Sequence, residues 1–402
     1  MSTSTPSVSI VLVAGKRTPF GAFGGALKDL TATDLAVEAS KATLASIGAD
    51  PTVVDAVFVG NVCQTSQDAI YLARHVGLRT GGRQDVPALT LNRLCGSGFE
   101  AIVQAVQAIR LGDAEVVLAA GTESMSQAPH VVRGARWGIG FGPGGKFEDT
   151  LWSCLTDTTT GMAMANTAEK LARTHGISRQ ECDDYALGSQ QRYAKAQADG
   201  IFADEIAPVT IAGRKGPTVV AKDEHPRPET TTEVLAKLKA AFEKDGVVTA
   251  GNASGIVDGA AAVLITTADR AKKEGWPVLA EIVASAAVGC DPTVMGIGPV
   301  PAIRAALGKA GLTLAQMDRV EVNEAFAPQY LAVEKDLGLD RAKTNVHGGA
   351  IALGHPLGAS GTRIMLHLAL DLQRGAGQYA VGSACIGGGQ GIAIVIKKPA
   401  HA

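Results

Sequence analysis

Apolar and polar positions along this chain switch repeatedly between a period of two and a period near 3.6, which predicts alternating strands and helices. Residues 9–14 form a short apolar run of the length of a buried strand, and helical spacing follows over 34–47. Residues 53–59 lead into the next strand, 68–76 predict a helix, and 88–91 predict a short strand ending near Cys95. Beyond it, Phe99, Ile102, Val103, Val106 and Ile109 fall at the i, i+3, i+4, i+7 spacing of a buried helix face. Cys95 therefore sits at or just before a helix N-terminus, where the backbone dipole and free N–H groups favour a thiolate. Residues 114–120 predict a strand that closes this unit, and strand pattern returns over 259–267 and 278–288. Between them the pattern changes. Residues 134–145 are rich in glycine and, with Phe147, punctuated by Trp137 and Phe141. Helices are predicted over 162–175, from the capping box Ser178-Arg179-Gln180-Glu181 to Ala198, and over 230–242. The alternation favours an α/β fold with buried sheets.

The chain also repeats itself. Gly48, Asp55, Val57 and Val59 recur as Gly311, Asp318, Val320 and Val322, an offset of 263 residues. At that offset Gly96-Ser97-Gly98 falls on Ala359-Ser360-Gly361, and Ala119-Ala120-Gly121-Thr122 falls on Gly382-Ser383-Ala384-Cys385. Three landmarks at one ungapped offset argue for two copies of one unit. Cys95 then corresponds to Gly358, and Asn92 to His355. Copies packed about a pseudo-twofold axis would bring Cys95, His355 and Cys385 into one pocket. The expected division is a first half of residues 1–123 with 256–277, an insertion of 124–255 suited to substrate-holding loops, and a second half of 278–402.

Composition narrows the class. The chain has 402 residues, 46% hydrophobic and 19% charged, enough for two or three domains with a well-buried core. A net charge of −2 without a basic cluster argues against a nucleic-acid surface. No apolar run reaches the roughly 20 residues that a spanning helix needs. Six cysteines without small-domain spacing suggest reduced thiols, and no Cys/His spacing suits zinc, so no metal site is expected. Residues 1–9 lack the charge and apolar core of a leader, and 397–402 carry no address. The expectation is a soluble intracellular enzyme located in the cytoplasm, with the mitochondrial matrix as the alternative.

The chemistry concentrates in three glycine-rich stretches, around Cys95, over 347–358, and around Cys385. Thiolate chemistry needs an activated cysteine, a proton acceptor and backbone N–H groups open to an oxyanion. Glycine allows that close backbone approach. For either cysteine alone the competing reading is a small buried hydrophobe in a tight turn. Cys63, Cys154, Cys182 and Cys290 lack such surroundings and read as structural. His75, His175 and His367 fall in helical patterns as core or surface residues, while His130, His225 and His347 receive no role.

Four motifs in order carry a family resemblance: Asn92-Arg93-Leu94-Cys95-Gly96-Ser97-Gly98, Asn323-Glu324-Ala325-Phe326, Gly354-His355-Pro356 and Cys385-Ile386-Gly387-Gly388-Gly389. The chain resembles the thiolases from Lys16 to Gly391, and among them the degradative 3-ketoacyl-CoA thiolases of the mitochondrial type. The resemblance implies a thiolase-like α/β fold, two βαβαβαββ halves stacked in five layers with an inserted loop domain. It implies thiolytic cleavage of 3-ketoacyl-CoA and the reverse Claisen condensation, with Cys95 as the acylated nucleophile and His355 as its base. Cys385 would be the second acid/base at the substrate α-carbon. Asn323 would hold a water that shares one oxyanion hole with His355, and the N–H groups of Cys95 and Gly387 would form the other. Ser254 and Met164 would line the pantetheine tunnel, and Arg227 and Thr230 would meet the nucleotide end of coenzyme A. A solvated Arg227 and a core Met164 are the competing readings of those two positions. Coenzyme A and acetyl-CoA are substrates in this picture, with no permanently bound cofactor or metal, and the protein is a homodimer or homotetramer. Ala163 stands where biosynthetic acetoacetyl-CoA thiolases commonly carry histidine, which favours the degradative subgroup over an acetyl-CoA C-acetyltransferase. The other readings are a ketoacyl synthase-like condensing enzyme, which would lack the second cysteine Cys385, a non-catalytic CoA-binding member, which would have lost Cys95, His355 or Cys385, and an acyl-CoA hydrolase built on Cys95, His355 and Asn323, which would need neither Cys385 nor the insertion.

Overall fold

The computed structural model describes residues 8–142, 144–214 and 216–399; the readings of the extreme termini, 1–7 and 400–402, lie outside them. The first half runs β1 (Ile10–Arg17), α1 (Ala32–Ala45), β2 (Ala56–Gly60), α2 (Leu72–Thr80), β3 (Ala88–Leu91), α3 (Ser97–Leu111) and β4 (Val116–Glu123). Two long helices follow, α4 (Met164–His175) and α5 (Arg179–Ala198), before β5 (Val257–Thr267) returns to the sheet. The second half comprises β6 (Ala280–Gly289), α6 (Pro299–Ala310), β7 (Arg319–Val322), α7 (Ala327–Leu337), α8 (Ser360–Gln373), β8 (Tyr379–Ile386) and β9 (Gln390–Lys397). Capping boxes open α1, through Thr31 and Asp34, and α5, through Ser178 and Glu181.

The strands pair in the order β7-β8-β9-β6-β1-β5-β4-β2-β3, with parallel pairing only in β7–β8, β4–β2 and β2–β3. The halves meet edge to edge through just two residue pairs, Val11 with Glu281 and Leu12 with Ala280. Most apolar side chains gather in three large bodies, which define the layers. One lies between the halves, around Phe99, Ile102, Ile364 and Leu368 of α3 and α8. The others lie under α1 and α2, and under α4 to α7. Helices, sheet, central helices, sheet and helices thus stack in five layers.

Equivalent residues do equivalent work. The Asp55 carboxylate accepts the N–H groups of Glu115 and Val116, and Asp318 accepts those of Gln378 and Tyr379, pinning the start of β4 and of β8. α3 and α8 cross at their paired glycines: a Cβ on Gly98 would collide with the Thr362 backbone, and one on Gly361 with that of Phe99. The second copy reduces its third strand to a single parallel bridge, Thr344 with Val320. Residues at the offset from β3 form the short helix Ala350–Leu353 instead.

The insertion is held from both sides. Arg17, fully buried at the end of β1, gives Nε to Glu205 at 2.7 Å and both terminal nitrogens to Asp223 at 2.7 and 2.9 Å. Removing one partner of such a buried pair costs about 3–5 kcal/mol. On the other side Tyr185 of α5 stacks on Tyr330 of α7, ring centroids 4.1 Å apart. The helix expected over 230–242 shortens to Thr232–Ala236. The Arg179 guanidinium takes the Leu235 and Leu238 carbonyls at 2.7 and 2.9 Å, the groups a continuing helix would have needed. Among the described residues no helix is long and apolar enough to cross a membrane.

Candidate active site

Cys95 follows a strained turn. Leu94 takes a left-handed φ of 47°, held by its N–H to Asn92 Oδ1 at 2.8 Å. Ser97 Oγ accepts the Arg93 N–H at 2.9 Å and donates to the Leu94 carbonyl at 2.7 Å, so the first turn of α3 closes the loop on itself. The Cys95 thiol is half-buried, and burial pushes it up to about 11, against the pull of the Gly387 and Cys95 N–H groups toward the thiolate. This differs from the expectation of a thiolate favoured at the helix end. Helix α3 begins at Ser97, two residues on, and desolvation outweighs what its terminus supplies.

His355 is 5% exposed and fixed at both ring nitrogens. Its Nδ1 lies 2.5 Å from Ser360 Oγ, while Ser360 gives its own proton to the Pro356 carbonyl at 3.1 Å. Ser360 therefore accepts from Nδ1–H, which leaves the lone pair on Nε2. Asn323 Nδ2 donates to that Nε2 at 3.3 Å. Burial pushes His355 down to about 3, helped by the Arg363 charge, so the imidazole is neutral. Asn323 Oδ1 is buried without a partner among the described residues, leaving an acceptor free. The Asn323 N–H bonds the Ser383 carbonyl at 2.9 Å, and α5 braces the next residue, with Tyr185 and Ser189 hydroxyls on the Glu324 carboxylate at 2.6 and 2.7 Å.

Cys385, the last residue but one of β8, is wholly buried, and desolvation with the neighbouring Cys95 pushes its thiol well above the ordinary range. Met164, at the start of α4, packs with Met295, Ala325 and Cys385. A Cβ on Gly387 would come 3.1 Å from Met164 Sδ and 3.3 Å from Leu94. Glycine there lets the backbone lie against both walls. Cys95, Cys385, Gly387 and Met164 are thus brought together, and Asn323 meets His355.

The remaining predicted residues stand on one rim. The Ser254 N–H bonds the Ala325 carbonyl at 3.0 Å, and its neighbour Gly255 accepts the His355 N–H at 2.9 Å. The Ser254 hydroxyl makes no hydrogen bond among the described residues. Arg227 and Thr230 share one turn, with Thr230 Oγ1 on the Arg227 carbonyl at 2.7 Å. The Arg227 guanidinium is exposed and folds back onto carbonyls of its own loop, His225 at 2.7 Å among them. His225 ties that loop to the catalytic half, its Nδ1 on the Ala352 carbonyl at 2.8 Å and its ring against Gly255.

Family models for the thiolase N-terminal domain and the thiolase C-terminal domain match residues 10–269 and 276–398. The chain belongs to the thiolase family. It is 60% identical over 391 residues to human mitochondrial 3-ketoacyl-CoA thiolase, covering 97% of this chain and 98% of that one. An acetyl-CoA acetyltransferase of Pseudomonas aeruginosa is 47% identical over 394 residues, covering 97% and 99%. The crystal structure of the human mitochondrial thiolase superposes with a TM-score of 0.96 at 60% identity, covering 98% and 99%. Its complex with CoA gives 0.95 at 60%, covering 98% of each chain, and the Bacillus anthracis acetyl-CoA acetyltransferase gives 0.94 at 44%, covering 97% and 98%.

Three features of this thiolase's site escaped sequence reasoning. Ser360, the partner of His355, was visible only as the repeat mate of Ser97, which bonds its own loop in the same way. Glu123 is wholly buried at the end of β4, and its carboxylate gathers Cys63 N–H and Gly358 N–H at 2.9 Å, Asn61 Nδ2 at 3.0 Å and Val62 N–H at 3.2 Å. Burial pushes it up to about 8 against those donors. It links the first half to the loop carrying His355, and no sequence spacing announces it. Cys63 and Cys154, read as separate structural residues, touch.

Proposed function

We propose that this thiolase cleaves 3-ketoacyl-CoA with coenzyme A to acetyl-CoA and a shortened acyl-CoA through a thioester on Cys95, and catalyses the reverse condensation. The observation that carries the reading is a pair of neighbouring thiols, Cys95 half-buried beside the Gly387 N–H and Cys385 wholly buried, in a chain whose His355 imidazole is neutral with its lone pair on Nε2. Acyl transfer to sulfur needs a nucleophile and a base; breaking a C–C bond also needs a group to handle the carbanion. Cys95 attacks the ketone carbonyl of the substrate. Both Cys95 and His355 rest neutral, so the proton moves to His355 Nε2 as the C–S bond forms rather than beforehand. Cys385 protonates the departing enolate, and in condensation it takes the α-proton of acetyl-CoA. The N–H groups of Cys95 and Gly387 receive the thioester oxygen, and His355 Nε2 with a water on Asn323 receives the other oxyanion.

The insertion, residues 124–255, together with the rim at Ser254, supplies the coenzyme contacts in this reading. Ser254 and Met164 serve the pantetheine, and Arg227 and Thr230 serve the nucleotide, where a planar guanidinium suits phosphate and adenine. The human relative was crystallised with CoA, which supports CoA as a substrate here. No permanent cofactor is needed by the chemistry. Trp137 and Phe141, exposed on the glycine-rich 134–145 segment, suit contacts between copies in a dimer or tetramer. The compartment follows the organism: the mitochondrion, as in the names of the human and bovine relatives, or the cytoplasm.

Thiolysis rates across 3-ketoacyl-CoAs of four to sixteen carbons test the function. Loss of 3-ketoacyl-CoA absorbance that requires added CoA supports it. Thiol release without CoA would make the enzyme a hydrolase, and activity confined to acetoacetyl-CoA would favour the biosynthetic acetyltransferase.

A further inference from the structure

Among the described residues, a nucleophilic cluster that the mechanism leaves unused lies beside Cys95. Cys63, two residues beyond the Asn61 that follows β2, donates its thiol to Cys154 Sγ at 3.0 Å. Cys154 ends the short helix Thr150–Cys154 in the insertion, 91 residues away in sequence. Cys63 is buried and Cys154 half-buried. Both belong to the apolar cluster of Val62, Met125, Leu151 and Leu357 against which Cys95 itself packs. Backbone holds the pair in place: the Cys63 N–H is fixed on Glu123, and the helix bearing Cys154 is capped by Asp149 through the Leu151 N–H at 2.9 Å.

We propose that Cys63 and Cys154 are a peroxide-reactive dithiol that closes to a disulfide and spares Cys95 from oxidation. The two sulfurs already touch, and one of them faces partly outward. The shared proton sits on Cys63, so the hydrogen bond pulls Cys154 below the ordinary thiol range and raises Cys63. Cys95, raised by burial, is a poorer thiolate than Cys154. In the first step the Cys154 thiolate attacks the outer oxygen of a hydroperoxide. An S–O bond forms and the O–O bond breaks, leaving a Cys154 sulfenic acid that keeps the peroxide's hydrogen. The alkoxide or hydroxide leaves as alcohol or water with the proton that the Cys154 thiol released on ionising; sulfur loses two electrons and the peroxide gains them. In the second step Cys63 sulfur attacks Cys154 sulfur. The S–S bond forms, the S–O bond breaks, and hydroxide leaves as water with the Cys63 proton. Two thiols and one hydroperoxide become one disulfide, one alcohol or water, and one water.

The test treats the full-length enzyme with one equivalent of hydrogen peroxide, blocks free thiols with iodoacetamide, and maps a non-reducing digest by mass spectrometry. The expected product is a cross-linked Cys63–Cys154 peptide, reversed by dithiothreitol, with Cys95 recovered unoxidised. Cys63→Ser should instead trap a Cys154 sulfenic acid that dimedone labels. Cys154→Ser should lose activity to peroxide several-fold faster than wild type. Oxidation of Cys95 ahead of any cross-link, or inactivation of both variants at the wild-type rate, would overturn the proposal. The cross-link is read by mass alone, so it stands or falls independently of the role assigned to Cys95.

Discussion

Replacing Ser360 with alanine removes one hydroxyl and tests how the base is held. In the wild type the His355 Nδ1–H is 2.5 Å from Ser360 Oγ inside a pocket where His355 is 5% exposed. Without that oxygen the ring must bury an unpaired donor, at a cost of about 1–3 kcal/mol, or shift its proton to Nε2 to escape it. The second choice puts a hydrogen where the lone pair has to be. A penalty of that size corresponds to roughly 5- to 150-fold less of the productive tautomer. The loss should fall on kcat and on single-turnover acetylation of Cys95 by acetyl-CoA, with KM for acyl-CoA nearly unchanged, because Ser360 faces the imidazole rather than the substrate. Thermal unfolding of the same sample separates positioning from general damage. Acetylation and kcat at wild-type rates in Ser360→Ala would refute the tautomer argument.

Other outcomes follow from the same geometry. Alkylation of Cys95 by iodoacetamide should keep rising with pH past the ordinary thiol range, toward about 11, because burial penalises its thiolate; a plateau below pH 9 would contradict this. The His355 proton is lost near pH 3, so thiolysis should show no acid limb near 6.5 from this residue; a histidine-like limb that vanishes in His355→Ala would count against it. Glu123→Gln turns an amide N–H₂ toward N–H donors and should lower stability by about 1–3 kcal/mol, read as a reduced denaturation midpoint; an unchanged midpoint would mean the carboxylate is not needed there. Arg227→Ala should raise KM for CoA with kcat nearly unchanged, and equal KM values would remove Arg227 from the coenzyme site.

Much of this was legible because the fold duplicates itself. Asp55 and Asp318 stand at one offset and hold the same pair of backbone N–H groups, so the sequence signal and the structural role coincide. The capping box at Ser178 likewise declares a local bond made within four residues. Long-range competition was not legible. The 230–242 segment has helical spacing, yet Arg179, more than fifty residues earlier, takes the carbonyls that would have extended it. The edge strand of the second half shrinks to Thr344 although its partner strand β7 is intact. At the site, the glycine-flanked motifs drew attention to Cys95, His355 and Cys385. Ser360 and Glu123 act through a ring nitrogen and through backbone N–H groups, and that kind of contact leaves no spacing to read. The height of the Cys95 pKa depends on burial, which a motif does not report.

The central claim is that two thiols divide the work, Cys95 carrying the acyl group and Cys385 the α-proton. Cys385→Ala with acetyl-CoA in deuterium oxide tests it most directly, with the acetyl group on Cys95 and the deuterium in acetyl-CoA both read by mass spectrometry. The division predicts that Cys95 is still acetylated while α-proton exchange is lost, since acyl transfer needs no carbanion. Exchange at the wild-type rate would contradict it and give the α-proton to another base.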